Sequence, residues 1–169
     1  NKIIFRNNKI NIKKMKKFKN IKKLERNLVL IYTGINRTAH KIASTYASKL
    51  PSIKKEYIMK ICEHVTEGEK LLNAGKVDDF GKLLNNAWHL KKKLSSSISN
   101  SKIDELYNLA IKYGAFGGKL LGAGGGGFLL LYMPTKFRNK FFLNNKKLIN
   151  IPFNFTNEGA QVIFKDLRR

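Results

Sequence analysis

The stretch GAFGGKLLGAGGGGFLLLY, at residues 114–132, decides the fold of this chain. It holds eight of the 13 glycines in the protein. Glycine loses more conformational entropy on folding than any other residue. A folded domain therefore keeps such a run where the backbone needs a positive φ or must approach an anion closely. The apolar residues on either side, Leu120 and Leu121 before the run and 128–132 after it, predict two buried strands joined by a glycine loop.

Three known glycine-rich phosphate loops can be compared with this one. Gly122, Gly124 and Gly127 have the spacing of the dinucleotide fingerprint, which needs a following helix and an acidic residue about 20 positions later. Here a strand is predicted to follow, and the first acidic residue beyond the loop is Glu158. A P-loop has its lysine directly after the last glycine, whereas Lys119 precedes this loop. The protein-kinase glycine loop also joins two strands, but the sequence lacks the HRD and DFG motifs. The remaining alternatives are a phosphate loop of another class and a tight turn that binds no ligand.

The composition is that of one strongly basic domain. The 169 residues can bury a sizeable core, and the formal net charge is +23. Residues 1–26 hold eleven of the 34 basic side chains and a single acid, Glu25. Such a charge attracts nucleic acid, anionic membranes or phosphorylated substrates. Only Phe5 and Phe18 offer stacking aromatics in the basic run, and the chain is equally rich in Asn and Ile. We therefore attribute the basic charge to a drift in composition of the whole chain towards Lys, Asn and Ile, and not to a groove that binds nucleic acid.

Cysteine and histidine predict neither a disulfide framework nor a metal site. Cys62 is the single cysteine, and its helical neighbours indicate a buried position. His40, His64 and His89 fall on separate predicted helices without metal-ligand spacing. The sequence has no signal peptide and no apolar stretch long enough to span a membrane, so we expect a cytoplasmic protein without membrane contacts.

The periodicity of the chain predicts an α+β domain with a small, mainly antiparallel sheet covered by helices on one face. We expect residues 1–26 to form a basic hairpin and connector, and residues 27–169 to form the main domain. The hairpin pairs residues 2–6 with 9–13, and residues 14–26 are an exposed connector. The predicted strands are residues 28–32, the two flanks of the glycine loop, 148–156 and 160–164. The predicted helices are residues 37–50, 51–74, 78–93, 101–113, where Ser101 and Asp104 form a capping box, and 135–142.

Two polar clusters lie at the ends of these elements. Thr33, Gly34 and Arg37 stand where the strand 28–32 gives way to a helix, and free N–H groups at a helix start favour anion binding. A cation is mildly unfavourable at that end of a helix, which favours a functional role for Arg37 over a solvated one. The second cluster ends the helix 78–93 with the lysines Lys91 and Lys92 and continues with the hydroxyls of Ser95 and Ser96. Charge alone favours a stabilising role for these lysines at the negative end of the helix dipole.

Residues 119–128, KLLGAGGGGF, resemble the third signature motif of the GHMP small-molecule kinases, the superfamily of galactokinase and mevalonate kinase. Three stretches resemble the heptose-phosphate branch of that family: LVLIYTGINRTA at 28–39, WHLKKKLSSSISN at 88–100 with IDEL at 103–106, and the glycine stretch 117–132. Ser97 departs from the pattern, because a glycine is expected after the two preceding serines. The resemblance implies the C-terminal half of a kinase, with the ferredoxin-like fold of the family's C-terminal domain.

The resemblance also implies roles for the residues of these stretches. The parent enzyme would transfer the γ-phosphoryl group of ATP to O1 of a heptose 7-phosphate. The second family motif, PxxxGLxSSA, is absent, so the catalytic acid and most contacts to ATP and Mg²⁺ would come from an N-terminal half. No residue of this chain is then catalytic or a metal ligand, and the chain alone is expected to be inactive. The implied ATP-phosphate loop consists of Lys119, Gly122, Ala123, Gly124, Gly125, Gly126 and Gly127. The implied substrate-binding residues are Thr33, Gly34, Arg37, Lys91, Lys92, Ser95 and Ser96.

Other readings of the sequence remain open. Kinases for fucose, galactose or mevalonate share the glycine loop, so the motif does not define the sugar. A basic α+β module that binds RNA is a second alternative, although the region 128–132 lacks the aromatic and basic pattern of an RNA-recognition strand. A degraded or split gene product that needs its partner half to fold is a third.

Overall fold

The computed structural model of the protein describes residues 1–6, 9–14, 19–36, 55–156, 158–159 and 161–164. The strands in this part are β1 (Lys2–Arg6), β2 (Lys9–Lys13), β3 (Leu28–Tyr32), β4 (Gly117–Leu120), β5 (Phe128–Tyr132) and β6 (Ile149–Asn150). The α-helices are α1 (Ile21–Asn27), α2 (Lys55–Asn73), α3 (Val77–Lys92), α4 (Ser101–Lys112) and α5 (Thr135–Asn144). A single 3-10 turn, Ser96–Ile98, links α3 to α4.

The main sheet has four antiparallel strands in the order β4-β5-β3-β6. The apolar run of β3 lies inside the sheet, with β5 on one side and the short β6 on the other. Leu28 pairs with Tyr132 and Tyr32 with Phe128, so the two apolar runs match along their whole length. The predictions of a buried strand at 28–32 and of an α+β fold with an antiparallel sheet are confirmed.

Helices cover both faces of this sheet, so the expectation of a single covered face was wrong. On one face, Val29, Ile31 and Leu131 pack with residues from α4 and α5. On the other face, Leu28 and Tyr132 pack with Leu24 of α1 and with the start of α3. Side chains alternate across a strand, and β3 and β5 are apolar at nearly every position, so both faces need cover.

Helix α3 approaches the sheet closely because glycines meet at the contact. A Cβ atom built on Gly117 of β4 would lie 2.3 Å from the carbonyl oxygen of Gly81 in α3. A Cβ built on Gly81 would lie 2.4 Å from Cδ1 of Tyr132. Neither position has room for a side chain. Because both residues are glycine, α3 lies close to β4, and the end of α3 lies beside the glycine loop.

The N-terminal segment forms the predicted hairpin and then a helix. Strands β1 and β2 pair in antiparallel register, with Ile3 opposite Ile12 and Phe5 opposite Ile10. Lys2 forms an ion pair with Glu69 of α2 at 2.6 Å. The expectation of a loose connector over residues 14–26 was wrong where α1 forms, because Leu24 is an apolar anchor in the core.

Several other expectations about caps, burial and strands were also wrong. The cap of α4 is Asn100, whose extended backbone precedes the helix and whose side chain accepts a hydrogen bond from the N–H of Ile103, and not a box from Ser101. Cys62 is exposed rather than buried. Beyond β6, the N–H of Ile151 still donates to the carbonyl oxygen of Leu30 at 2.8 Å, but residues 151–156 and 161–164 form no strand, because alternation of side chains does not itself provide a partner strand. The predicted helix at 37–50 and the start of the next one lie outside the described residues.

In the part of the chain that the structure describes, no helix combines the length and the apolar character needed to cross a bilayer.

Candidate functional site

The glycine loop joins the ends of β4 and β5, whose last paired residues are Leu120 and Leu129. Gly124 lies at the centre of the loop with φ +118°, a value that residues with side chains rarely adopt. A Cβ atom there would lie 2.8 Å from both Cα and the carbonyl oxygen of Ile98. The loop therefore passes directly against the backbone of the serine turn, which is residues 95–98. This close approach explains why the middle of the loop is glycine.

Hydrogen bonds join the loop to the serine turn. The N–H of Gly125 donates to the carbonyl oxygen of Ile98 at 2.8 Å. The side-chain amide of Asn100 donates to the carbonyl oxygen of Gly125 at 3.4 Å. Within the turn, the Ser95 hydroxyl accepts from the N–H of Ser97 and shares a 2.8 Å hydrogen bond with the Ser97 hydroxyl. The turn is thus an ordered polar edge beside the loop, with Ser96 exposed on it.

The other end of the loop is joined to the turn that follows β3. The carbonyl oxygen of Gly127 accepts from the N–H of Thr33 at 2.9 Å and from its hydroxyl at 2.8 Å. In return, the N–H of Gly127 donates to the carbonyl oxygen of Ile35 at 2.8 Å. Gly34, between these two residues, has φ +72° and is exposed. Arg37, the next predicted member of this cluster, lies outside the described residues.

Three stretches that are far apart in the sequence therefore meet at one place, and some of their backbone donors remain available. The N–H groups of Gly125 and Gly127 are used to hold the loop. The N–H groups of Gly122, Ala123, Gly124 and Gly126 find no acceptor within the described residues. Gly124 and Gly126 are nevertheless buried residues. Buried backbone N–H groups are paired in most folded proteins, so these amides favour an external acceptor such as a phosphate oxygen or ordered water.

Two lysines stand beside the entrance of the loop. The Lys91 ammonium, on the last turn of α3, donates to the carbonyl oxygens of Gly122 at 2.6 Å and Leu120 at 3.4 Å. Burial, together with the nearby charge of Lys119, lowers the pKa of Lys91 to about 8. Burial also lowers the pKa of Lys119 on β4. Two desolvated cations without a carboxylate partner in the described part of the chain form a site that suits an anion.

Lys92 points to a different contact from that of Lys91. Its ammonium forms an ion pair with Asp104 of α4 at 2.9 Å and lies 5.8 Å from the centre of the Trp88 ring. Asp104 also accepts from the hydroxyl of Ser99 at 2.9 Å. These contacts tie the end of α3 to the start of α4 and so fix the serine turn between them.

The residues that hold the loop were not all identified from the sequence. Asn100, Ile35 and Ile98 contribute hydrogen bonds to it, and two of the three do so through backbone carbonyl oxygens. A backbone acceptor leaves no signal in side-chain chemistry, so the sequence could not indicate Ile35 or Ile98. Asn100 carried a signal, since an Asn before a helical pattern is a preferred cap.

The fold and the site together define a class: an α+β domain in which a glycine loop between two antiparallel strands lies beside two lysines and keeps backbone amides without an acceptor in the described residues. Residues 69–142 match the family described as GHMP kinases C terminal. The chain therefore contains a GHMP kinase C-terminal domain.

Relatives and solved structures agree with this assignment. The chain is 33% identical over 141 residues to the D-glycero-alpha-D-manno-heptose 7-phosphate kinase of Campylobacter jejuni, covering 82% of this chain and 42% of that protein. It is 33% identical over 115 residues to the bifunctional fucokinase/GDP-fucose pyrophosphorylase of Arabidopsis thaliana, covering 66% of this chain and 11% of that protein. The crystal structure of a putative sugar kinase from Campylobacter jejuni superimposes with a TM-score of 0.62 at 27% identity, over 93% of this chain and 45% of that one. The chain thus spans less than half the length of the relatives it matches.

Proposed function

We propose that this chain is the C-terminal lobe of an ATP-dependent sugar-phosphate kinase that phosphorylates O1 of D-glycero-D-manno-heptose 7-phosphate. The observation that carries the proposal is the glycine loop, which meets the turns after β3 and α3 and keeps four amides without an acceptor in the described residues. The name of the Campylobacter jejuni relative supports the choice of sugar. Phosphoryl transfer depends mainly on positioning and on neutralising charge, which is work that such a loop can do.

Within this proposal, the loop Gly122, Ala123, Gly124 and Gly126 receives the phosphate of ATP that is transferred. Lys119 adds a positive charge near the base of the loop, where burial makes an unpaired ammonium unfavourable until an anion is bound. Gly34 and Ser96 are exposed in the two turns beside the loop, and in this proposal the sugar approaches there. Thr33 and Ser95 stabilise these two turns, since both hydroxyls are engaged in local hydrogen bonds. Arg37 and Lys92 remain predicted contacts to the sugar or its 7-phosphate, whereas the ammonium of Lys91, the third contact predicted from the sequence, is bonded to the loop itself.

The donors around the loop suit phosphate and do not suit magnesium. They are amides, hydroxyls and ammonium groups, whereas Mg²⁺ prefers carboxylate and phosphate oxygens. Asp104, a carboxylate beside the serine turn, is already engaged by Lys92 and Ser99. No group of three or more potential metal ligands occurs within the described residues. We therefore assign the magnesium contacts and the catalytic acid to an N-terminal half, which would also provide most of the ATP site.

An exposed apolar face on the N-terminal hairpin supports this partnership. Ile3 pairs with Ile12 and Phe5 with Ile10, which places the four side chains on one face of the hairpin. Their exposed fractions are 53, 65, 72 and 62% in that order. The four side chains form a contiguous apolar surface, and such surfaces mark interaction sites. We propose that residues 1–26 form the junction at which the N-terminal half packs on this face. The predicted cytoplasmic location agrees with a kinase that uses ATP.

Kinase assays test the proposal. Purified chain, incubated with ATP, Mg²⁺ and heptose 7-phosphate, should release no ADP above the blank, because the proposal places the catalytic acid on the N-terminal half. A chimera that joins the N-terminal half of the Campylobacter jejuni kinase to this chain should release ADP and form a sugar 1-phosphate, detected by ³¹P NMR. Turnover by the chain alone would contradict its assignment as an incomplete lobe. A folded chimera that ignores heptose 7-phosphate would contradict the proposed substrate.

Fucose is the second candidate substrate, because the Arabidopsis thaliana relative is named a fucokinase and is 33% identical. The same chimera assayed with L-fucose and with heptose 7-phosphate separates the two. Our proposal predicts the larger kcat/KM for heptose 7-phosphate, and a larger value for fucose would favour the alternative.

A further inference from the structure

A lysine side chain holds the first carbonyl group of the glycine loop. Lys91 donates to the carbonyl oxygen of Gly122 at 2.6 Å and more weakly to that of Leu120 at 3.4 Å. It therefore bridges the last residue of β4 and the first residue of the turn. Hydrogen bonds from a charged donor are stronger than neutral ones. The longer bond to Leu120 is partly buried, whereas the shorter bond to Gly122 lies at an exposed position.

The geometry of the peptide unit transmits this contact to the next amide. The carbonyl of Gly122 and the N–H of Ala123 belong to one planar trans peptide, so they point in opposite directions. When Lys91 holds the carbonyl oxygen towards α3, the N–H of Ala123 must point away from α3. That N–H is one of the amides without an acceptor in the described part of the chain. Gly122 has φ +68°, which permits this orientation without side-chain strain.

We propose that Lys91 is a positioning residue that orients the first phosphate-binding amide of the glycine loop, the N–H of Ala123. This inference rests on the function proposed above, and it assigns Lys91 a role different from direct contact with the sugar. The ammonium is directed to backbone oxygens of this same chain. The ligand class that it serves is a polyphosphate, whose terminal oxygens accept from the oriented amide.

Lys119 has the complementary role. Its charged group acts on Lys91 from β4, and in the described residues it makes neither an ion pair nor a hydrogen bond of its own. Asp104, the carboxylate on the neighbouring α4, is paired with Lys92 instead. Lys91 is therefore bonded to the loop, while Lys119 acts on Lys91 by its charge and lines the cleft between α2, α3 and the hairpin. An arginine at position 91 could reproduce the contact, because its guanidinium also donates to two oxygens.

Three variants of the full chain test the role of Lys91 by titration with inorganic tripolyphosphate. Lys91→Met removes the contact, Lys91→Arg preserves it, and Lys82→Met removes one exposed charge that pairs with Asp79 far from the loop. Lys91→Met should bind tripolyphosphate at least about fivefold more weakly than the wild type, as expected for a lost charged hydrogen bond. Lys91→Arg and Lys82→Met should stay within about twofold of the wild type, since neither removes that contact. The change in the ¹⁵N shift of the Ala123 amide on addition of tripolyphosphate should likewise be smaller in Lys91→Met than in the wild type, Lys91→Arg and Lys82→Met.

A pH series tests the contact between Lys91 and Gly122 directly. The ¹³C shift of the Gly122 carbonyl should change with a midpoint near the pKa of Lys91, about 8, and should be flat in Lys91→Met. This series needs no ligand, so it tests the contact even if the chain binds no tripolyphosphate, which would contradict the proposed function instead. A flat Gly122 carbonyl in the wild type would overturn the inference. Equal binding by Lys91→Met and the wild type, or weak binding by Lys91→Arg, would overturn it as well.

Discussion

At the scale of single residues, the structure distinguishes two reasons for glycine in the loop, a positive φ and a lack of space for a side chain, which the sequence alone does not distinguish. Gly122 and Gly124 both have positive φ, at +68° and +118°. A Cβ on Gly122 would meet nothing within 4 Å, whereas a Cβ on Gly124 would meet the backbone of Ile98 at 2.8 Å. Gly122 is therefore glycine for its backbone conformation, and Gly124 is glycine for conformation and for space.

This difference predicts unequal costs for two alanine substitutions. Gly122→Ala should lower the free energy of unfolding by about 1 kcal/mol, the cost of a left-handed conformation with a side chain. Gly124→Ala should lower it by a further 1 to 3 kcal/mol, roughly, because the methyl group forces the loop away from the serine turn. Urea denaturation of both variants against the wild type measures the two values. Equal losses would show that the contact with Ile98 does not constrain the loop.

The residue scale is also where sequence reasoning reached least far. The glycine run could be predicted to form a loop between two strands because its apolar flanks are visible in the sequence. The anchors of the loop could not, because Ile98 and Ile35 act through backbone oxygens. The contact of Lys91 with Gly122 depends on how closely α3 approaches β4, and helix periodicity does not give that distance.

At the scale of elements, the contact between α3 and β4 sets the position of the site. Gly81 and Gly117 let the helix lie against the strand, and the last turn of the helix then brings Lys91 to the loop. The hydroxyl of Tyr132 strengthens the same region by donating to Asp78 while accepting from Asn27 at 2.8 Å. Although burial alone would raise it, hydrogen bonds from Lys23 and Tyr132 hold the pKa of Asp78 below its usual value.

Gly81→Ala should therefore separate α3 from the sheet. The added methyl group would overlap the ring of Tyr132, with 2.4 Å to Cδ1, and we expect a loss of about 2 to 3 kcal/mol in the free energy of unfolding. Gly68→Ala in α2 is the matched control, since its nearest neighbour is the edge of the Phe80 ring at 3.3 Å. There, helix propensity offsets tight packing, and the change should stay within about 1 kcal/mol. Thermal or urea unfolding that ranks Gly68→Ala as the worse variant would contradict this account.

The elements that could be predicted from the sequence were those whose hydrophobic pattern agrees with the packing around them. The run at β3 and the helical periods of α3 and α4 bury many of the residues that their patterns indicate, whereas Phe80 and Leu84 are only partly buried and Ile111 is exposed. The alternating segment 148–156 forms a strand only at Ile149–Asn150, with one further backbone hydrogen bond from Ile151 to Leu30 of β3. Leu24 shows the opposite case: a single buried side chain in a basic segment forms part of the core, and charge composition concealed it.

At the scale of the whole molecule, two features accord with the proposal that this chain is one lobe of a kinase. The chain covers 42% of the Campylobacter jejuni relative, and the hairpin shows an apolar face with no cover in the described residues. The net charge of +23 draws polyanions of every kind, so general attraction must be distinguished from binding at the loop. A residue-resolved measurement makes that distinction, because attraction to surface lysines spreads over the molecule.

The most direct test is a titration of ¹⁵N-glycine-labelled chain with ATP and Mg²⁺, followed by amide chemical shifts. The 13 glycines of the chain provide internal controls, because Gly68 and Gly81 lie in helices away from the loop. We predict that Gly122, Gly124 and Gly126 shift first and furthest, with a common midpoint. Equal shifts at Gly68, Gly81 and the loop glycines, or a loop that does not respond, would contradict the claim that its amides bind phosphate.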